Sequence, residues 1–275
     1  MSANTPVAAF FDLDKTIIAT SSAFAFGKEF LHNGMITRQE AWDLYLSKAQ
    51  YMLVGQSSEK MDSTRDALAQ MVAGWDVKDI QRITRDTLRE VVAPAIYAEA
   101  RQLIDDHVAA GHHVIIISAS AKILVEPIAE ELGVDTVVAT EMAIENGKLT
   151  GEITRYLKGE AKAEAVRQFA ADHNFDLDAS FAYSDSATDI PMLELVGNPV
   201  AVNPDRALKK HALANGWQAR TFKNPEPLIQ MPNAREVGIG AGVIAGVTAL
   251  AVAGVLIARA VSGSGKGAGE KRRSA

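Results

Sequence analysis

Four short apolar runs lie along the chain without polar alternation: VAAFF (Val7 to Phe11), HVIII (His113 to Ile117), SFAY (Ser180 to Tyr183) and PVAV (Pro199 to Val202). Strands covered on both faces read this way, so the pattern predicts an α/β core with a parallel sheet wrapped by helices. Between the second and third runs, VVATEMAIENGKLTGEI predicts a hairpin, because Asn146-Gly147 suits the positive φ angles of a tight turn. Residues 21–95 carry Ala, Gln, Arg, Asp and Met at helical spacing with no convincing strand. They predict a helical module inserted straight after the first strand.

The other end of the chain differs. Val237 to Ala258 is 22 residues without a charge, and its one hydroxyl is Thr248. As a helix it would span about 33 Å at roughly 1.5 Å per residue, the thickness of a bilayer core. Half of it is Gly or Ala, and its five glycines would each cost up to ~1 kcal/mol in a water-exposed helix, which favours a transmembrane helix over a buried core helix. Before it, residues 223–236 contain Pro225, Pro227 and Pro232 and read as a linker. After it, residues 259–275 form a basic tail, Gly/Ser-rich at Ser262 to Gly269 and expected to be disordered. The expected organisation is a core from 1–20 and 96–222, a helical insert over 21–95, the linker, the membrane helix over 237–258 and the tail.

Charge follows this division. The chain has 28 Lys and Arg against 34 Asp and Glu, a net charge of -6, which argues against nucleic acid as its partner. Arg259, Lys266, Lys271, Arg272 and Arg273 against Glu270 give the last 39 residues +4, leaving 23 basic against 33 acidic residues, or -10, in the body. Basic residues number three before the helix (Arg220, Lys223, Arg235) and five after it, which by the positive-inside rule favours a cytoplasmic tail. Against that, the apolar run at Val7 ends after five residues at Asp12, too short for a signal-peptide core. The missing signal is weighed above a bias of two charges, and the body is expected on the cytoplasmic face of the membrane. Gly238, Gly242 and Gly246 lie on one helix face and would permit a membrane homodimer. There is no cysteine, which excludes a disulfide framework, a thiolate zinc site, an iron-sulfur cluster and a cysteine nucleophile.

Each predicted strand opens onto polar residues at its carboxyl end, where an open parallel sheet has its crevice. The first leads into Asp12-Leu13-Asp14-Lys15-Thr16, the second into Ser118-Ala119-Ser120, and the third into Ser184-Asp185-Ser186-Ala187-Thr188-Asp189. Two carboxylates at i and i+2 on a post-strand turn can divide labour, one facing a metal and phosphorus and the other a leaving oxygen. A carboxylate attacks phosphorus once the phosphate charge is neutralised by a hard cation, a lysine and hydroxyl or N–H donors.

FFDLDKT, IIISAS, a lysine and YSDSATDIPML occur in that order over about residues 7–205. Together they resemble the haloacid dehalogenase superfamily, and within it the phosphoserine-phosphatase-like class with a helical cap after the first motif. The resemblance implies a Rossmann-like core, a cap at 21–95 and Mg2+-dependent hydrolysis of a small phosphomonoester through an aspartyl-phosphate. It implies Asp12 as nucleophile and Asp14 as general acid and then base. Metal contacts would come from Asp12, the Asp14 carbonyl, Asp185 and Asp189. Phosphate contacts would come from Thr16, Ser118, the Ala119 N–H and a lysine. Lys158 and Lys162 both offer themselves, and Lys162, 23 residues before Asp185, is preferred.

The resemblance thins at specificity. Phosphoserine phosphatases of this class carry a glutamate nine residues after the nucleophile, where this chain has Ser21, and SDSATD replaces their Gly-Asp-Gly-x-Asn-Asp. Two alternatives therefore stand beside the phosphatase: a membrane-anchored lipid-phosphate phosphatase, and a regulatory pseudo-phosphatase that binds phosphorylated ligands. Other polar residues invite structural readings. His112-His113 begins a strand at the end away from the chemistry, and Asp105-Asp106-His107 reads as an exposed helix face. Trp42, Leu44, Tyr45 and Leu46 read as cap core or as a cap surface over the substrate. Arg82, Arg85 and Arg89 read as a solvated stripe.

Overall fold

The computed structural model describes residues 5–37, 39 and 69–225. The predicted membrane helix, most of the linker and the basic tail lie outside the described residues, as do Trp42, Leu44, Tyr45 and Leu46. Among the described residues no helix is long and apolar enough to cross a membrane.

Among the described residues seven strands form one sheet: β1 (Ala8–Phe11), β2 (His113–Ala121), β3 (Thr136–Glu145), β4 (Lys148–Arg155), β5 (Phe181–Ser184), β6 (Asn198–Val202) and β7 (Gln218–Arg220). Their spatial order is β4-β3-β2-β1-β5-β6-β7. All neighbours run parallel except β3 and β4, which pair antiparallel. The hairpin between them turns at Asn146 (φ 51°) and Gly147 (φ 79°), both left-handed as Asn-Gly predicts. The strand missing from the sequence reading is β7, three largely exposed edge residues without an apolar run.

The continuous apolar runs reflect burial on both faces. Ala9 and Phe11 join Val114, Ile116, Tyr183 and Val202 on one face. Ala8 and Phe10 join Ile115, Ile117, Ala182 and Ala201 on the other. On the first side pack α1 (Ser22–His32), α2 (Val77–Thr87), α3 (Ala98–Ala109) and α4 (Lys122–Glu131). On the second pack α5 (Glu160–His173), α6 (Ile190–Leu193) and α7 (Arg206–Ala214).

Within the insert, the described residues form α1 and α2, continued by a π-turn (Leu88–Val92) and a 3-10 turn (Ala93–Ala95). Asp76 caps α2 by accepting from the Lys78 N–H at 2.8 Å, and Ile80, Ile83 and Thr84 bury one face of the helix. Arg82, Arg85 and Arg89 are exposed, and Arg82 pairs with Asp79 and Asp86, as expected of a solvated stripe. The chain leaves and re-enters the core side by side: Ile18 bridges Ile96, the Ala19 N–H donates to Ala95 O at 2.8 Å, and Tyr97 N–H donates to Ile17 O at 2.9 Å.

The reading of residues 105–107 needs one correction. Asp105 and Asp106 are exposed, but His107 is buried: its Nε2 lies 2.7 Å from the Tyr183 hydroxyl and its Nδ1 2.8 Å from His112 Nδ1. Leu103, Ile104 and His107 share the inward face of α3, and three to four residues is one helical turn.

Candidate active site

The candidate site residues follow the three central strands. β1 lies between β2 and β5, so Asp12, Ser118 and Asp185 reach the same edge of the sheet. Asp12 is buried, and its N–H donates to Tyr183 O at 2.9 Å, extending the β1–β5 ladder by one residue. The turn that follows is wound around a single acceptor. The N–H groups of Thr16, Ile17 and Ile18 all donate to Leu13 O, at 3.3, 2.9 and 3.1 Å. Lys15 takes the left-handed conformation (φ 64°) that so sharp a reversal needs. Thr16 does not tie the loop through its side chain: it is buried, and its Oγ1 has no partner among the described residues.

The sequence left two lysines open, and the structure distinguishes them. Lys162, in the first turn of α5, puts Nζ 2.6 Å from Asp12 Oδ1 and 2.8 Å from Asp189 Oδ2. Lys158 sits in the loop before α5, partly exposed. Lys162 and Asp189 are each 2% exposed, so the two carboxylates share one buried cation. Ser184 Oγ also donates to Asp189 Oδ2, at 2.7 Å. Burial would lower the Lys162 pKa, but Asp12 and Asp189 outweigh it and raise the value, so the ammonium is held charged. Burial pushes the Asp12 carboxyl up to about 7 against the opposing charge of Lys162, with Asp189 adding to the rise. Burial likewise raises Asp185 to about 6, opposed first by Lys15.

Asp14 stands apart from this cation. Its Oδ1 accepts from the Ser22 N–H and its Oδ2 from Ser120 Oγ, both at 2.8 Å. Ser118 Oγ accepts from the Ser120 N–H at 3.1 Å, which leaves its own proton to donate outward. Sequence reasoning missed several supports. Asp205 accepts from Ala187 N–H at 2.9 Å and from Leu208 N–H at 2.8 Å, fastening the Asp185–Asp189 loop to the start of α7. Thr140 Oγ1 donates to Ala119 O at 2.8 Å and accepts from Leu157 N–H at 3.1 Å. The N-cap position of Asp205 ahead of ALKKHALA was a readable signal. The tertiary partner of Thr140 was not.

A metal here must suit oxygen donors. Among the described residues no three His, Asp or Glu side chains cluster as a metal cage. Mg2+ does not require one, because it keeps several waters and takes one or two carboxylates plus substrate phosphate. Asp12, Asp185 and the Asp14 carbonyl fit that demand.

Carboxylates at adjoining strand ends, with a buried lysine between two of them, suit an α/β hydrolase of phosphate esters. The chain belongs to the haloacid dehalogenase-like hydrolase family, whose model matches residues 9–194. A probable phosphatase of Mycobacterium tuberculosis is 43% identical over 254 residues, 91% of this chain and 88% of the relative. A phosphoserine phosphatase of the same organism is 35% identical over 246 residues, 86% of this chain and 79% of that one. A Bordetella pertussis protein of unknown function has a solved structure that superimposes with a TM-score of 0.70 at 26% identity, covering 78% of this chain and 98% of that chain. The protein is a phosphoric monoester hydrolase of this family.

Proposed function

We propose that the protein hydrolyses a small phosphomonoester through a phosphorylated Asp12, with Mg2+ as cofactor. The observation that carries this reading is the buried Asp12–Lys162–Asp189 chain at the edge where β1, β2 and β5 end. Lys162 holds Asp12 Oδ1, which leaves Oδ2 to attack phosphorus, and its charge also balances phosphate oxygens. The Ser118 hydroxyl and the Ala119 N–H hold those oxygens in line for attack. Asp14 protonates the leaving alkoxide and then takes a proton from the water that cleaves the acyl phosphate. Asp12, Asp185 and the Asp14 carbonyl would hold Mg2+, which neutralises charge on the transferred group. Asp189 serves the site through Lys162, leaving its Oδ1 for the metal's water shell.

The apolar composition of residues 237–258 supports one extension of this reading. A helix there would anchor the enzyme to a membrane, as a homodimer packed through Gly238, Gly242 and Gly246, with the body on the cytoplasmic face and lipid phosphomonoesters within reach. A regulatory pseudo-phosphatase is disfavoured, because a binding module has no need to keep Asp12, Asp14, Lys162, Asp185 and Asp189 together. The test is a panel of water-soluble and lipidic phosphomonoesters, run on purified full-length protein with Mg2+ and with EDTA. Metal-dependent turnover of at least one ester is expected, and binding without turnover across the panel would favour the pseudo-phosphatase. Full-length protein should enter the membrane fraction; recovery wholly in the soluble fraction would remove the anchor.

A further inference from the structure

The family motifs assign a role to Ser118 but none to its neighbour Ser120 or to Ser22, and the structure ties both of these serines to Asp14. Ser22 is fully buried at the first position of α1, and its N–H reaches Asp14 Oδ1 at 2.8 Å. Ser120 Oγ reaches Asp14 Oδ2 at 2.8 Å. Ser22 Oγ in turn donates to Ser120 Oγ at 2.8 Å, closing a ring of three contacts around one carboxylate. β2 is irregular where it supplies Ser120: its register against β3 shifts between Ser118 and Ala121. There Ser120 turns its hydroxyl to Asp14 while its N–H supports Ser118 Oγ at 3.1 Å.

We propose that Ser120, backed by Ser22, is a positioning residue that fixes the orientation of the Asp14 carboxyl for proton transfer to the leaving oxygen. The proposal rests on the reading of Asp14 as general acid and base. That role demands a carboxyl held in one orientation. The Ser22 N–H holds Oδ1, the Ser120 hydroxyl holds Oδ2, and the Ser22 hydroxyl in turn orients Ser120. When Asp14 gives its proton up, its O–H bond breaks and the alcohol's O–H bond forms. Because Ser22 opens the insert's first helix, the clasp also ties the position of α1 to the geometry of proton transfer.

The test uses leaving-group dependence, which a purely structural role would not alter. Full-length Ser120→Ala, Ser120→Thr and Asp14→Asn are compared on β-glycerol phosphate, phenyl phosphate and p-nitrophenyl phosphate. A poor leaving group needs the proton; p-nitrophenolate hardly does. Ser120→Ala should lower kcat/KM, which reports the leaving-group step, on β-glycerol phosphate by about tenfold, the scale of one hydrogen bond to a charged group, and on p-nitrophenyl phosphate by under about threefold. Ser120→Thr, which keeps the hydroxyl, should recover most of the loss. An equal loss on all three esters, or no loss at all, overturns the clasp. Asp14→Asn separates the two layers. If its own loss is independent of the leaving group, the acid-base reading falls and the clasp with it. If that loss is steepest for β-glycerol phosphate while Ser120→Ala is uniform, only the clasp falls.

Discussion

The sheet buries polar groups at both ends of β5, and it treats them differently. Where β1 and β5 give way to loops, Asp12, Lys162 and Asp189 form a charged chain. Toward the start of β5, His107, His112 and Tyr183 form an aromatic one, with His112 stacked on Phe181 and Phe11 stacked on Tyr183 at 4.3 Å. Burial holds the His107 pKa down to about 4, with His112 adding to the effect, and pushes Tyr183 up to about 12. His107 and Tyr183 therefore stay neutral near pH 7, and burying them costs less desolvation than burying charges. Burying charge is expensive even when it is paired, and apolar replacements of such networks are often as stable or more so. The charged chain lies where β1 and β5 give way to loops, the end at which the proposed chemistry takes place. The neutral network holds α3 against the sheet.

The largest effects that would break this contrast lie at the charged end. Asp12→Asn replaces the nucleophilic carboxylate by a neutral amide but keeps the volume, so turnover of p-nitrophenyl phosphate should fall below detection while the far-ultraviolet circular dichroism is unchanged. Asp14→Asn should cost about 100- to 10,000-fold on esters with poor leaving groups. Near-native activity in Asp12→Asn would end the covalent mechanism. Lys162→Met probes the cation itself: it leaves Asp12 and Asp189 facing one another without a counter-charge and should cost about 3–5 kcal/mol in chemical denaturation at pH 7. Adding Asp12→Asn to that variant removes one of the two stranded charges and should restore part of the loss. A Lys162→Met protein as stable as wild type would mean that the charged end carries no special electrostatic load.

How far the two ends were legible in the sequence follows the same division. The charged end was readable because its residues follow apolar runs directly and fall in a fixed order: Asp12 after VAAFF, Ser118 after HVIII, Asp185 after SFAY. Even the choice of Lys162 came from its distance before Asp185, which matches the spacing that the family resemblance implies. The neutral end was misread at His107, since its partners lie on a different element, at Tyr183, and a period of 3.6 assigns a face without saying what that face meets. The supports of the site failed for the same reason. Ser120 and Thr140 act through tertiary contacts at a strand irregularity, and nothing local in IIISAS marks a shift in register. β7 was too short and too polar to register as a strand.

A smaller effect sharpens the contrast through pH. Unfolded, His107 takes up a proton near 6.5; folded, it resists until about 4. Between those values the unfolded state binds more protons, so this group withdraws stability as pH falls through that window. Asp12 runs the other way. Its carboxyl is raised from 3.8 to about 7, so the metal-free folded state binds its proton first and its contribution improves as pH falls below 7. The wild-type curve mixes the two, and His107→Gln removes only the first. The difference in unfolding free energy, wild type minus His107→Gln, should therefore shrink by about 2 kcal/mol between pH 7 and pH 4.5. Parallel curves would show that His107 titrates normally and that the second network is not held neutral.

The smallest expected effect concerns what the charged end does not contain. Among the described residues the buried Lys162 is committed to Asp12 and Asp189, an arrangement suited to phosphate under the proposed mechanism, and Ser21 offers no charge to the ammonium of phosphoserine. Ser21, where phosphoserine phosphatases of the class carry glutamate, is the half-buried N-cap of α1 and makes no side-chain capping bond. A single partly exposed ion pair is worth up to about 1 kcal/mol, near fivefold in kcat/KM, and its absence should leave phosphoserine within about threefold of β-glycerol phosphate. Ser21→Glu supplies the charge at a helix N-terminus, where a carboxylate is tolerated. It should raise kcat/KM for phosphoserine by a few-fold while leaving β-glycerol phosphate unchanged, because only the first substrate carries an ammonium. A strong native preference for phosphoserine would locate the missing carboxylate elsewhere in the insert. An equal response of both esters to Ser21→Glu would mean that position 21 does not face the substrate.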